Sequence, residues 1–161
     1  MALDVAERVQ AGIVGGRRVQ RENLHRTLAF LDEQPVEALQ DLDAELQGLR
    51  AVPVRLQFAP LAMLGGHPPK ALALDVVPHD TLTTLHNAVQ GSIRRAGITL
   101  RRDRFRPHVT LTRFRRGDAA SGVPEFAADD ITHEAIQIGL FQSTLRPAGA
   151  RYEALATYPL G

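Results

Sequence analysis

Two stretches of this 161-residue chain pair a histidine with a hydroxyl two residues later: His25-Arg26-Thr27-Leu28-Ala29-Phe30 and His108-Val109-Thr110-Leu111-Thr112-Arg113. Each reads as a β-strand, Leu24 to Leu31 and Pro107 to Phe114. Successive strand side chains point to opposite faces, so His25 shares a face with Thr27, and His108 shares one with Thr110. Leu24, Leu28 and Phe30, like Val109 and Leu111, then fall on the reverse faces. An imidazole and a hydroxyl presented together, twice, are equipment for acid–base chemistry at a phosphate. One imidazole must be neutral and one protonated, and an unperturbed histidine pKa of about 6.5 makes both states accessible near neutrality.

The remaining pattern supplies the elements that must hold these pairs. Ala6, Val9 and Ile13 recur at helical spacing in residues 3–13, stopped by Gly15-Gly16, and a short extended piece leads into the first motif. Pro35 suits a first helical turn, and Val36, Leu39, Leu42, Leu46 and Leu49 line one face of a helix. Val52, Val54, Leu56 and Phe58 alternate, as do Leu72, Leu74 and Val76, which predicts two strands around a Gly65-Gly66 turn. Leu82, Leu85, Val89 and Ile93 predict a second long helix ending near Gly97. A Gly/Pro-punctuated loop follows at 117–124. Ile136, Ile138 and Leu140 mark another strand, with a turn at Pro147 to Gly149 before a last strand around Tyr152 to Tyr158. The order implies two related lobes in one α+β domain, with the site in a groove between them.

Composition bounds the chemistry. With no cysteine, disulfides, thiolate catalysis and cysteine-ligated zinc are excluded. No segment nears the roughly 18 apolar residues of a membrane span, so a protein free in the cytoplasm is expected. The net charge of +1 hides an asymmetry: Lys70 is the only lysine, and between Arg94 and Arg116 nine arginines face one acid, Asp103. That belt is either a solvated surface or a phosphate-attracting rim beside the second motif. A balance so near zero argues against a protein that coats duplexes, and it permits a nucleotide or an RNA end.

The other histidines read differently. His79-Asp80-Thr81-Leu82 repeats the motif spacing but runs straight into helical periodicity, so Asp80 or Thr81 is expected as a helix N-cap. His67, His86 and His133 are assigned to a loop, a helix face and a strand. No histidine–carboxylate spacing matches a metal site, and Gly15-Gly16 and Gly65-Gly66 are turns, since no Gly-Lys-Ser/Thr follows.

At the two motifs the chain resembles the 2H phosphoesterase superfamily, and within it the RNA 2′,3′-cyclic phosphodiesterase, or 2′-5′ RNA ligase, family. The resemblance rests on Glu22 to Leu31, Arg106 to Arg113 and the tail Leu140 to Tyr152, and it extends from about residue 20 to the end. It implies one domain over residues 1–161 with interleaved lobes. Two pseudo-twofold-related lobes, each an antiparallel sheet with outer helices, would line a V-shaped central cleft. It further implies metal-free, cofactor-free hydrolysis of RNA or nucleotide 2′,3′-cyclic phosphates to 2′-phosphates. His108 would serve as the base, His25 as the acid, and Thr27, Thr110 and Arg113 would bind phosphate.

Strict alternation would turn Arg113 away from the site, so the assignment requires a twist or a bulge in its strand. Phe30 is a candidate for stacking on a base, against a core role. Family members usually begin with an apolar strand, whereas this chain is expected to open directly in a helix; Arg26 stands at a commonly apolar position, and the Phe58-to-Lys70 connection reads as short. The alternatives are reversible 2′-5′ RNA ligation or another 2′-5′ phosphodiesterase activity, a non-catalytic RNA-end binder, and an unrelated α+β protein with coincidental motifs. The expected partners are cyclic-phosphate RNA ends or cyclic nucleotides, met by a monomer without membrane or metal.

Overall fold

The computed structural model describes residues 2–101, 105–118, 132–147 and 149–161. The chain is α+β, in the order α1 (Ala2–Ala11), β1 (Arg17–Arg18), a 3-10 turn (Arg21–Asn23), α2 (Val36–Gln47), β2 (Val54–Leu64), β3 (Ala71–Val76), α3 (Asp80–Arg95), β4 (His108–Arg113), β5 (Thr132–Ala135), β6 (Gln137–Arg146) and β7 (Gly149–Pro159). Five strands form one sheet in the order β1-β4-β3-β2-β5, and β6 and β7 form a second, two-stranded sheet. The β1–β4, β4–β3, β3–β2 and β6–β7 pairings are antiparallel. No helix among the described residues is long and apolar enough to cross a membrane.

The chain divides into two compact units, the first from Met1–Thr27, Leu56–Val77 and Arg106–His133, the second from Leu28–Arg55, Pro78–Phe105 and Glu134–Gly161. In the second, α2 buries Leu42 and Leu46 and α3 buries Leu82, Leu85, Val89 and Ile93. These are residues that the helical periodicity marks. The Tyr158 hydroxyl donates to the Asp43 carboxylate at 2.6 Å and so ties β7 to α2. Burial and that carboxylate hold the phenol well above its usual pKa.

In the first unit, α1 buries Ala6 and Val9 as their spacing predicts, and Ile13, two residues beyond the helix end at Ala11, is buried as well. Gln10 on the same helix is also buried, at 6% exposure. Its amide donates to the carbonyl of Val19 at 2.9 Å and to that of Leu111 at 2.7 Å, so one side chain fastens α1 to both β1 and β4. Leu111 is where β4 departs from regular pairing. Against β3, Thr112 pairs with Leu72 and Thr110 with Ala73, which leaves Leu111 between them without a pairing partner on that strand. This is a β-bulge. Consecutive Leu111 and Thr112 are both 0% exposed, which strict alternation does not give. The bulged carbonyl is satisfied by Gln10 and by the Val19 N–H at 2.8 Å.

Three sequence expectations need correction. Leu24 to Leu31 is not a strand: the chain makes a 3-10 turn at Arg21–Asn23 and then a single antiparallel bridge, Arg26 to Val109. Alternation is present there, but the chain leaves the first unit after Thr27, and a ladder needs a neighbour to continue. The cap of α3 is His79 itself, whose Nδ1 accepts from the Leu82 N–H at 3.4 Å, rather than Asp80 or Thr81. A core role for Phe30 is excluded by its 69% exposure. His67, His86 and His133 do lie in a loop, on α3 and on β5, with His86 stacked on Phe105 at 3.7 Å. Arg102, Asp103 and Arg104 of the arginine belt, residues 119–124 of the Gly/Pro loop and Ala148 of the last turn lie outside the described residues.

Gln10→Ala removes one buried and one part-buried hydrogen bond, taking a donor from the Val19 carbonyl and one of two donors from the Leu111 carbonyl. A loss of about 1–3 kcal/mol is expected, read as a lower urea midpoint with an unchanged slope.

Candidate active site

The Arg26–Val109 bridge sets the geometry. These are the middle residues of the two motifs, and they pair antiparallel. Register then places His25 across from Thr110 and Thr27 across from His108. The neighbours on either side of a bridged pair share the face opposite to its own side chains. All four functional side chains therefore stand on one face, related by a local twofold through the bridge. Directly opposed residues lie about 5 Å apart at Cβ and diagonal ones about 7–8 Å, so the imidazoles flank a space of phosphate size.

Both rings are held in the same way. The Nδ1–H of His25 donates to the carbonyl of Asn23 at 2.7 Å, and that of His108 to the carbonyl of Arg106 at 2.7 Å. A carbonyl only accepts, so each bond assigns a proton to Nδ1 and leaves Nε2 as the nitrogen outside that bond. The acceptor is two residues upstream in each case, and neither bond was foreseen from the sequence. Around His108 a further link exists: the Arg106 guanidinium donates to the Asp75 carboxylate at 2.7 Å, and Asp75 is the cross-strand partner of His108. Asp75 thereby braces the residue whose carbonyl orients the ring.

The bulge at Leu111 resolves the position of Arg113. His108 pairs with Asp75, Thr110 with Ala73 and Arg113 with Ala71. Asp75, Ala73 and Ala71 are spaced by two on β3 and share a face, so their partners do too. Arg113 stands with His108 and Thr110, as the phosphate-binding expectation requires. Its charge reaches His25. Although His25 is an exposed residue, crowding by protein lowers its pKa below the ordinary 6.5. The Asn23 carbonyl opposes that shift, while the Arg113 and His108 charges add to it.

Arg26 occupies the reverse side of the bridge. Burial pushes its guanidinium down to about 10, and its buried Nη1 has no hydrogen-bond partner among the described residues. It stays charged at neutral pH, at a cost to stability. His25, Thr27, His108, Thr110 and Arg113 all belong to the first unit, whereas Phe30 belongs to the second.

Comparison with known proteins places the whole chain in a family. The model of the 2′-5′ RNA ligase superfamily matches residues 4–156. The chain belongs to that superfamily, whose members are 2H phosphoesterases. It is 29% identical over 153 residues to the RNA 2′,3′-cyclic phosphodiesterase of Archaeoglobus fulgidus, covering 92% of this chain and 86% of that one. Its fold is that of E. coli LigT complexed with 3′-AMP, with a TM-score of 0.78 at 23% identity over 98% of this chain and 92% of LigT. TT0787 of Thermus thermophilus is similar, with a TM-score of 0.75 at 22% identity over 99% of this chain and 91% of that one.

Two measurements check this electrostatic arrangement. In a histidine NMR titration His25 should protonate below 6.5, and Arg113→Gln should move it back toward that value. The folded protein then binds this proton less readily than the unfolded chain. Stability is therefore lost as pH falls from 6.5 through the depressed folded value. Arg26→Leu removes a buried, incompletely paired charge and should raise stability by about 1–4 kcal/mol in urea unfolding.

Proposed function

We propose that the protein hydrolyses 2′,3′-cyclic phosphates of RNA ends or nucleotides to 2′-phosphates without a metal. The observation that carries this reading is the antiparallel bridge, which gives one face two imidazoles, each with its proton on Nδ1, and two threonine hydroxyls. A non-catalytic binder has no need of two titratable rings held in the same tautomer. Superfamily membership and the Archaeoglobus relative's name point to the same substrate class.

His108 Nε2 takes a proton from water, whose oxygen attacks phosphorus. The P–O3′ bond breaks, and the departing 3′-oxygen receives its proton from His25 Nε2. The 2′-ester remains. Thr27 and Thr110 donate to the non-bridging oxygens, and Arg113 offsets the charge that develops on them. A lowered pKa makes the His25 imidazolium a readier donor. It also means that little of it is protonated in the free protein near neutrality. An anionic phosphodiester placed beside it and Arg113 offsets the cationic repulsion and restores the proton.

The purified protein with a 2′,3′-cyclic nucleotide and a chelator should yield the 2′-monophosphate. His25→Ala and His108→Ala should each lower kcat by about 10²–10⁴-fold. With His25 as the acid, kcat/KM falls as pH rises through its depressed value, and Arg113→Gln moves that limb upward. Unimpaired turnover in either histidine variant, a 3′-phosphate product, or a rate that climbs through the His25 titration would overturn the scheme. Turnover of 2′-5′-linked dinucleotides or RNA halves in preference to cyclic phosphates would favour the ligase reading.

A further inference from the structure

We propose that Arg17 and Arg113 form a second anion subsite, taking a phosphate on the 5′-oxygen of the terminal nucleotide. The proposal rests on the nucleotide reading of the site given above. Arg17 on β1 lies directly across from Arg113 on β4. Opposed residues share a face, so Arg17 joins His108, Thr110 and Arg113 on the site face, while Arg18 pairs with Thr112 and turns the other way.

The register that sets the two arginines across from one another is fixed on both sides. Gly16, at φ +72°, sits so close to β4 that a Cβ there would come within 2.6 Å of Thr112 Cγ2 and 2.9 Å of the Arg113 carbonyl. On the other side the Val19 N–H bonds the Leu111 carbonyl at 2.8 Å, and Gln10 clamps both strands through the carbonyls of Val19 and Leu111. The glycine pair that reads as a plain turn in the sequence thus holds two arginines side by side. A doubly charged, forked donor set of this kind is matched by phosphate oxygens.

The subsite adjoins the reacting phosphate and shares Arg113 with it. Along the site face Arg113 follows Thr110 by one step, about 7 Å at a strand rise of about 3.4 Å per residue. Arg17 and Arg26 both meet β4 on the edge away from β3, so Arg17 and Arg113 form the next row beyond His25 and Thr110 on the site face. A ligand with its cyclic phosphate between the histidines brings its next phosphate toward this pair. That group is either a free 5′-phosphate or the diester leading to the preceding nucleotide.

Calorimetry with adenosine 2′,5′-bisphosphate and adenosine 2′-monophosphate tests the subsite without any turnover. The native protein should bind the bisphosphate about 10-fold more tightly or better, Arg17→Gln should lose most of that ratio, and Arg17→Lys should keep part of it. In kinetics, the ratio of kcat/KM for a 5′-phosphorylated cyclic nucleotide, and separately for a dinucleotide cyclic phosphate, to that for the unphosphorylated nucleoside cyclic phosphate should fall in Arg17→Gln through KM. The two arms tell a terminal phosphate from a chain diester. Equal binding of the two adenosine ligands by the native protein, or a binding ratio unchanged in Arg17→Gln, would overturn the subsite. A bisphosphate preference lost in Arg17→Gln, in a protein that turns over no cyclic phosphate, would uphold the subsite and remove the hydrolytic reading instead.

Discussion

One backbone contact sets the geometry of the candidate site: the antiparallel meeting of Arg26 with Val109. It joins the midpoints of two His-x-Thr motifs that lie far apart in the sequence, and so converts two ordinary local patterns into one four-residue face. Had the register slipped by one residue, each motif would have turned its opposite side chains toward that face. The contact is a single bridge rather than a ladder, so its register depends on what surrounds it. The 3-10 turn at Arg21–Asn23 and the hydrogen bond from His25 to Asn23 hold one side. Regular pairing of β4 with β3 holds the other.

The second determinant is the bulge at Leu111. It breaks alternation between Thr110 and Arg113 and brings a guanidinium onto a face that a regular strand would deny it. Bulges leave a carbonyl without a ladder partner, and a buried carbonyl without a partner is costly. Gln10 and Val19 supply the missing donors, which explains a buried glutamine on an otherwise apolar helix face. Helix α1 therefore does more than cover β4, since it stabilises the irregularity that the site requires. Polar atoms inside this unit are for the most part committed to such tasks. Among the described residues of this unit, Arg26 Nη1, Asp75 Oδ1 and the Thr112 hydroxyl are buried without a partner and stand out against that pattern.

The two histidines are alike in tautomer and unlike in surroundings. His25 is crowded and faces two cationic neighbours, whereas His108 stands across from the Asp75 carboxylate that pairs with Arg106. The local twofold sets equal geometry, and the neighbouring charges make the two surroundings unequal.

Much of this was legible in the residues. Both motifs, the three helices, the β2–β3 and β6–β7 hairpins, and the need for a bulge if Arg113 was to face the phosphate follow from periodicity and residue type. These are properties of neighbours within a few positions, which the chain carries wherever it goes. The strand expected at Leu24 to Leu31 failed because alternation reports a face and cannot report whether a partner strand lies alongside. His79 as its own cap, Gln10 on the bulge and Asp75 behind Arg106 were invisible for the same reason. Each is a hydrogen bond whose donor or acceptor is chosen by packing. Sequence alone thus determined which side chains could do acid–base work at a phosphate. Only the tertiary structure decided that they share a face, because register between distant segments is fixed by burial and hydrogen-bond satisfaction across the whole sheet.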